Sequence, residues 1–133
     1  MRELTRAASS AEITVDVPPA LRVRADVGQL RRVLLNLARN AATAARSGRV
    51  QLVARAGSDG VTVRVEVRDD GPGVPAALRE QIFTPFFTTR EKGTGLGLAF
   101  VREIVRDHGG DVVVRDAVGG GSVFSFELPA VTS

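Results

Sequence analysis

The chain has 133 residues, of which 44% are hydrophobic and 25% charged, with a formal net charge of +3. This length fits one compact domain, so we expect a single domain over 1–133, with a flexible remnant at 1–11 and a tail at 130–133. Cysteine is absent, which excludes disulfides, and no apolar run is long enough for a membrane span or a signal peptide. Arginines are scattered, and Trp and Tyr are absent. We therefore expect neither nucleic-acid binding nor direct membrane contact.

The first elements are a short strand and a long helix. Ile13, Val15 and Val17 alternate with polar residues, which predicts a half-buried strand before two prolines. Asp26 can cap a helix, with Gln29 three residues later as in a capping box. An apolar stripe at helical spacing continues this helix as far as Ser47-Gly48, and consists of Leu30, Val33, Leu34, Leu37, Ala41 and Ala45.

The remaining elements alternate strands with one more helix. Residues 49–56 and 61–68 are predicted strands joined by a hairpin at Asp59-Gly60, because Val61, Val63, Val65 and Val67 alternate with polar residues. An irregular stretch over 70–97 precedes a second helix from Leu98 to Asp107, and strands at 111–116 and 122–128 follow. This order predicts an α/β (α+β) two-layer sandwich, in which a mixed, mostly antiparallel sheet of about five strands is covered on one face by about three helices.

Two asparagines on the first helix are candidate ligand-binding residues. Asn36 and Asn40 are four residues apart, so they lie on one face, beside the apolar stripe. Such amides could line a cleft, or they could be solvated or capping side chains. The spacing leaves both interpretations open.

A second candidate follows the valine strand, in the segment Asp69-Asp70-Gly71-Pro72-Gly73. A carboxylate at a strand end can hydrogen-bond a ligand, and the glycines allow the backbone to approach it closely. The alternative is a plain turn, since Asp, Gly and Pro are the usual turn residues.

The third candidate is the glycine-rich start of the second helix, over 93–98. Free backbone amides and the helix dipole favour an anion there, and Arg90 and Lys92 lie just upstream. The segment lacks the Gly-Lys-Ser/Thr of a Walker phosphate loop and the spacing of a dinucleotide fingerprint. Before it, Phe83, Phe86 and Phe87 either form a buried plug or anchor a mobile lid.

Together these motifs resemble the boxes of a known family. They are LLNLARNA, DDGPGVP, FTPFFTT, GTGLGLAFVREIVRDHGG and GGGSVFSFELP, in this order between Asp26 and Pro129. They resemble the N box, first glycine box, F box, second glycine box and closing strand of the catalytic ATP-binding (HATPase_c) domain of bacterial sensor histidine kinases. That domain belongs to the gyrase, heat-shock chaperone, histidine kinase and MutL superfamily and has the Bergerat ATP-binding fold. The spacing from FFTT to GTGLGL is most similar to the nitrogen-regulation subgroup.

The resemblance implies a role for individual residues. Asn40 would bind Mg²⁺, Asp69 would accept a hydrogen bond from the adenine amino group, and Arg90 or Lys92 would neutralise the transferring phosphate. The implied catalytic residues are Asn36, Arg90 and Lys92. The implied nucleotide site comprises Asn36, Asn40, Thr43, Asp69, Gly71, Gly73, Val74, Arg90, Lys92, Gly93, Thr94, Gly95, Leu96, Gly97, Leu98 and Ser122, with Gly121 shaping the base pocket. Relatives often carry a longer polar side chain at the position of Thr43.

The resemblance also implies a function and its partners. The chain would bind Mg-ATP and transfer the γ-phosphate to a histidine on a separate helical dimerisation domain, with a response regulator acting downstream. It would be cytoplasmic and monomeric, and its parent protein could be membrane-anchored. His108, the only histidine, follows a predicted helix and is expected to be structural, so we expect no autophosphorylation by this chain alone.

Two alternatives to a histidine kinase remain. The first is an ATPase or anti-sigma-type serine kinase of the same superfamily. Asn36 argues against it, because those enzymes carry a glutamate base at this position and a histidine nucleophile needs no such base. The second is a non-catalytic ATP-binding regulatory module.

Overall fold

The computed structural model of the chain describes residues 2–3, 12–19, 21–87 and 96–130. Within these ranges lie six strands: β1 Arg2–Glu3, β2 Glu12–Asp16, β3 Arg49–Ala56, β4 Thr62–Asp69, β5 Val112–Asp116 and β6 Ser122–Pro129. They are accompanied by helix α1 over Val27–Ala44, helix α2 over Gly97–Asp107, and 3₁₀ turns at Ala76–Leu78 and Gln81–Phe83. No helix in the described ranges is both long and apolar enough to cross a bilayer.

The strands form one mixed sheet in the order β1-β2-β3-β4-β6-β5. Strands β2 and β3 are parallel, because α1 crosses between them, and the other neighbouring pairs of described strands are antiparallel. The predicted fold class is confirmed. The sheet has one strand beyond the five expected, since Arg2 and Glu3 pair with Val15 and Thr14. Two α-helices and two 3₁₀ turns stand where about three helices were expected.

The core lies between the helices and one face of the sheet. Phe124 and Phe126 of β6 are each 2% exposed and are in register with Val67 and Val65 of β4. Buried residues of both helices pack over this face, including Val33, Leu37, Ala41, Val101, Ile104 and Val105. One predicted strand boundary is wrong: β4 begins at Thr62, and Val61 before it is 59% exposed.

Local sequence signals set the ends of α1. The Asp26 side chain caps the helix by accepting a hydrogen bond of 2.8 Å from the backbone N–H of Gln29, as predicted. The helix ends at Ala44, and Ala45, the last residue of the predicted stripe, is already extended. Gly48 then takes a φ of +75°, a conformation that glycine adopts without strain.

The sheet face away from the helices carries ion pairs across the strands. Glu66 of β4 bonds Arg68 on its own strand and Arg115 of β5, the latter at 2.7 Å. Burial raises the pKa of Glu66, but the hydrogen bonds and charges of the two arginines outweigh burial, so its pKa lies below the ordinary value. Glu66 is therefore ionised and ties β4 to β5 at neutral pH.

Candidate functional site

Asp69 ends β4 on the face that the helices cover. It is 5% exposed, and its Oδ1 accepts a hydrogen bond of 2.8 Å from the Gly71 N–H. Its cross-strand neighbour is Ser122, the first residue of β6, which is 4% exposed. The structure thus places a carboxylate and a hydroxyl side by side on the buried side of the sheet, as the alternation along β4 and β6 requires.

Asp70 has a different environment, although it is the next residue. Its Oδ1 accepts hydrogen bonds from the backbone N–H groups of Arg46 and Ser47, at 2.9 and 3.3 Å. Hydrogen bonds from Ser47 and Arg46 hold the pKa of Asp70 below its ordinary value. Asp70 therefore secures the turn after α1, whereas Asp69 is buried on the helix side of the sheet.

Two glycines let other segments approach Asp69 closely. A Cβ at Gly71 would overlap the Ala44 carbonyl at the end of α1, and a Cβ at Gly121 would overlap the Asp69 carbonyl. Gly121 also has a φ of +102°, which side-chain-bearing residues rarely adopt. Gly73, with a φ of +80°, lies near the Gly121 carbonyl, and Val74 packs against the core.

The start of α2 lies against Asn36. A Cβ at Gly97 would be 2.9 Å from the Asn36 Oδ1, so a larger residue there would require the amide to move. The Asn36 Nδ2 donates to the Arg32 carbonyl at 2.8 Å, which orients the amide with its oxygen toward α2. Leu96, 43% exposed, is the N-cap of α2, and Leu98 packs against the core.

Helix α1 connects the two halves of the candidate site. Asn40 is partly buried one turn after Asn36, and Ala44, a further turn along, contacts Gly71. Asn36 and Ala44 are eight positions apart, which corresponds to about 12 Å at the helical rise. Helix α1 therefore joins the Asn36 end of the candidate site to the Gly71 end.

Thr43 lies on the exposed side of α1 between these points. Its hydroxyl donates to the Arg39 carbonyl at 2.9 Å, a common local bond of helical threonine. The hydroxyl oxygen can still accept a hydrogen bond, but the side chain is short.

A cavity of about 970 Å³ opens at the Asn36 end of the site. Gly97, Leu96 and Phe100 contribute to its lining, together with Arg32 and Arg39 of α1. Neither arginine was identified from the sequence. Their positions four residues before and three after Asn36 are the signal that could have found them, because such residues share a helix face.

The phenylalanine segment divides into a buried and an exposed part. Phe83 is 4% exposed and packs edge-on against Phe124, with ring centroids 6.2 Å apart. Phe86 is 75% exposed and has a φ of +68°, unusual for a residue with a side chain. Phe83 is therefore a buried plug, whereas Phe86 lies on the surface.

His108 is held in a structural position between the helices. Its Nδ1 lies 2.8 Å from the Ile104 carbonyl, and its Nε2 accepts a 3.1 Å hydrogen bond from the Asp26 N–H. The ring therefore has a proton on Nδ1 and none on Nε2. Both nitrogens are engaged, as expected for a residue that links helix ends.

Five predicted site residues lie outside the described residues: Arg90, Lys92, Gly93, Thr94 and Gly95. Among those described, the structure brings Asp69, Gly71, Gly73, Gly121 and Ser122 together at one end. It brings Asn36, Leu96 and Gly97 together at the other.

In this two-layer sandwich, α1 runs between the buried Asp69 and the first turn of α2, which begins at Gly97. This arrangement is typical of the ATP-binding domains of kinases, gyrases and chaperones. Residues 25–132 match the family described as histidine kinase-, DNA gyrase B-, and HSP90-like ATPase. The chain belongs to this family.

Two proteins similar to this chain are sensor kinases. The chain is 44% identical over 125 residues to the sensor histidine kinase ZraS of Klebsiella oxytoca, covering 92% of this chain and 27% of the relative. It is 40% identical over 125 residues to the sensory histidine kinase/phosphatase NtrB of Rhodobacter capsulatus, covering 85% and 34%. The chain thus spans about a third or less of these relatives, and the similarity to the nitrogen-regulation subgroup is confirmed.

A solved structure agrees in fold. The mycobacterial sensor histidine kinase MprB is 34% identical, with a TM-score of 0.82, over 94% of this chain and 85% of that chain. The two-layer sandwich is therefore that of histidine kinase ATP-binding domains.

Proposed function

We propose that this domain binds Mg-ATP between α1, α2 and the end of β4, and transfers the γ-phosphate to a histidine on a separate helical dimerisation domain. A response regulator would act downstream. The proposal places the reaction in the cytoplasm, and the chain itself would be a monomer. It rests on family membership together with the geometry around Asp69.

The observation that carries the proposal is the buried Asp69 carboxylate. Because Gly71 binds one of its oxygens and Gly121 packs under its backbone, the side chain has a fixed orientation beside Ser122. An adenine amino group can donate to a carboxylate, whereas guanine presents a carbonyl oxygen at that position. An unmade buried hydrogen bond costs about 1–3 kcal/mol, so Asp69 would select adenine roughly ten- to a hundredfold.

The phosphates would lie toward Asn36 and the first turn of α2. The N-terminal amides of a helix and its dipole stabilise an anion, and Gly97 leaves room beside Asn36. Mg²⁺ usually binds through one or two protein oxygens plus substrate phosphates, and the Asn40 amide on the same face of α1 fits that pattern. When bound, the ion would neutralise phosphate charge.

The side chains at this end favour histidine as the phosphate acceptor. Asn36 cannot accept a proton as a glutamate would, so it would not activate water or a serine hydroxyl. A histidine nucleophile needs less activation. Arg90 or Lys92 would stabilise the charge on the transferring phosphate, the main requirement of phosphoryl transfer.

Calorimetric titration with ATP, ADP and GTP, with and without Mg²⁺, tests the nucleotide site. We expect adenine-selective binding that Asp69→Asn weakens at least about tenfold. Asparagine has one oxygen, which the Gly71 N–H requires, and would direct its NH₂ group at the adenine amino group. Asp70→Asn is the matched control and should bind as the wild type does, because Asp70 serves the turn after α1.

The acceptor is tested by supplying a helical phosphoacceptor domain in trans and following label from γ-labelled ATP. Label on a histidine of that domain supports the kinase. Steady-state hydrolysis of ATP by the chain alone would favour the ATPase alternative instead. Nucleotide binding without transfer or hydrolysis would favour the non-catalytic regulatory module, and no binding by the wild type would exclude the proposed site.

A further inference from the structure

Arg79 connects two segments that border the proposed base pocket. Its Nε donates to the Val74 carbonyl at 3.1 Å, and its Nη2 donates to the Asp116 Oδ1 at 2.9 Å. Val74 belongs to the loop after Asp69, and Asp116 ends β5. We propose that Arg79 is a positioning residue that sets the width of the base pocket, an inference that rests on the proposed nucleotide site.

The loop that Arg79 holds has little support of its own. Between Asp69 and Ala76 the chain forms neither helix nor strand, and a loop without ladder bonds depends on side chains for its position. Val74 is partly buried against the core, and Arg79 binds its backbone carbonyl directly. The guanidinium therefore fixes the segment that would cover one side of the base.

Asp116, the second partner of Arg79, lies in the same row of cross-strand neighbours in the sheet as Asp69. Asp116 is in register with Ser122, and Ser122 with Asp69, so the three residues cross β5, β6 and β4 side by side. The Gly73 backbone meets this row as well, since a Cβ there would be 3.8 Å from the Asp116 Oδ1 and 3.5 Å from the Gly121 carbonyl. Arg79 thus sets the distance between the loop and the row that carries the base-selecting carboxylate.

The geometry requires arginine and not merely a positive charge. Two nitrogens of one planar guanidinium reach two acceptors on different segments, whereas a lysine ammonium is a point donor on a flexible stem. The Asp116 side chain is 74% exposed, so the ion pair by itself contributes little to the stability of the domain. An effect on nucleotide affinity with little effect on melting would therefore distinguish positioning from support of the fold.

The test compares Arg79→Lys and Arg79→Ala with the wild type by calorimetric titration of ATP and ADP and by thermal melting. We expect both variants to weaken ATP and ADP by the same factor, about tenfold, because the base is common to both ligands; tenfold corresponds to about 1.4 kcal/mol. Asp116→Asn keeps an acceptor oxygen and should have a smaller effect. Arg64→Ala is the control, since Arg64 pairs with Glu127 at 3.4 Å on the sheet face away from the helices.

A double variant supplies the readout that a purely structural role would not change. If Arg79 acts through the base pocket, Arg79→Lys should weaken ATP binding less in an Asp69→Asn background than in the wild type. Unchanged affinity in both Arg79 variants, equal loss in Arg64→Ala, or full additivity with Asp69→Asn would overturn the positioning role. Each of these results leaves ATP binding by the wild type intact, whereas a wild type that binds no ATP would overturn the proposed function as well.

Discussion

At the scale of single residues, the candidate site depends on glycines whose missing side chain makes room for another backbone. Gly121 has both a φ of +102° and a carbonyl, that of Asp69, where its Cβ would be. Gly119 has a comparable φ of +88°, but nothing lies within 4 Å of its Cβ position. A comparison of these two glycines, which lie in the same turn between β5 and β6, therefore separates the free-energy cost of the backbone conformation from that of the steric contact.

We predict that Gly121→Ala destabilises the domain by at least about 2 kcal/mol, since conformational strain of this kind costs 1–3 kcal/mol and a steric clash adds to it. Gly119→Ala should cost about 1–2 kcal/mol, from the left-handed conformation alone. Urea unfolding of the three proteins measures both differences. Equal losses in the two variants would show that the contact with Asp69 has no energetic weight.

Arg39 is a second residue whose surroundings point to the ligand. Among the described residues four arginines line the large cavity, and three of them have partners. Arg32 lies over the Phe100 ring at 4.1 Å, while Arg102 and Arg106 pair with acidic side chains. Arg39 has no side-chain partner within the described part of the chain and lies on the side of α1 that carries Asn36.

We therefore expect Arg39 to contribute to phosphate binding, where Thr43 is too short to do so. Arg39→Ala should weaken ATP roughly three- to tenfold and ADP less, because a cation near the terminal phosphate acts mainly on the triphosphate. Arg31→Ala, an exposed arginine on another face of the same helix, is the control. Titrations at two salt concentrations measure the effect, and equal losses for ATP and ADP would contradict it.

At the scale of elements, α1 and α2 are joined at both ends of α2. Gly97 meets Asn36 at one end, and His108 meets the N-cap of α1 at the other. The imidazole donates from Nδ1 to the last turn of α2 and accepts at Nε2 from the Asp26 N–H. His108 therefore connects the C-terminus of α2 to the N-terminus of α1.

Two amide substitutions distinguish the hydrogen bond of His108 to Asp26 from its hydrogen bond to Ile104. His108→Gln places an oxygen near the position of Nε2 and can keep the bond to α1, whereas His108→Asn reaches only the local carbonyl. We predict that His108→Asn lowers the free energy of unfolding by about 1 kcal/mol more than His108→Gln, the usual net value of one hydrogen bond. Denaturant unfolding measures this difference. If His108→Gln lost more unfolding free energy than His108→Asn, the hydrogen bond between the helices would not be the one that stabilises the domain more.

At the scale of the whole molecule, acid should weaken the sheet through Glu66. Its folded pKa is lowered below the ordinary value, so its contribution to stability is present above the pKa of the unfolded-state glutamate and is lost as the pH falls through the folded pKa. Asp16, Asp59, Asp70 and Asp111 also have lowered pKa values and contribute in the same direction.

Glu66→Gln should therefore reduce stability at pH 7 by about 1–2 kcal/mol, because hydrogen bonds to a charged group are lost, and should flatten the fall in stability below about pH 5. Thermal melting between pH 3 and pH 7 measures both effects. Glu127→Gln is the matched control, since Glu127 pairs with Arg64 at 3.4 Å and is more exposed. If the stability of Glu66→Gln fell with acid as steeply as that of the wild type, Glu66 would not be the source of the acid dependence.

The elements and the family could be predicted from the sequence because their signals are local or are repeated in several motifs. The cap at Asp26, the stripe of α1 and the hairpin at Asp59-Gly60 each arise from residues a few positions apart. Errors occurred where an element ends or where pairing is distant: Val61 lies outside β4, and β1 pairs with β2 although nothing in its two residues indicates a strand.

The sequence by itself determined the order of elements, the family and the identity of the main nucleotide-site candidates, since amphipathic periodicity and five motifs in one order are properties of the chain alone. Only the tertiary structure showed that Asp70 secures the turn after α1, why Gly71 and Gly121 must be glycine, and that Arg79 and His108 join distant segments. Each of these contacts depends on the strand order β4-β6-β5, on the packing of α1 against α2, or on the position of the end of α1 beside the end of β4. Residues up to 82 positions apart meet there, and no local pattern records such a meeting.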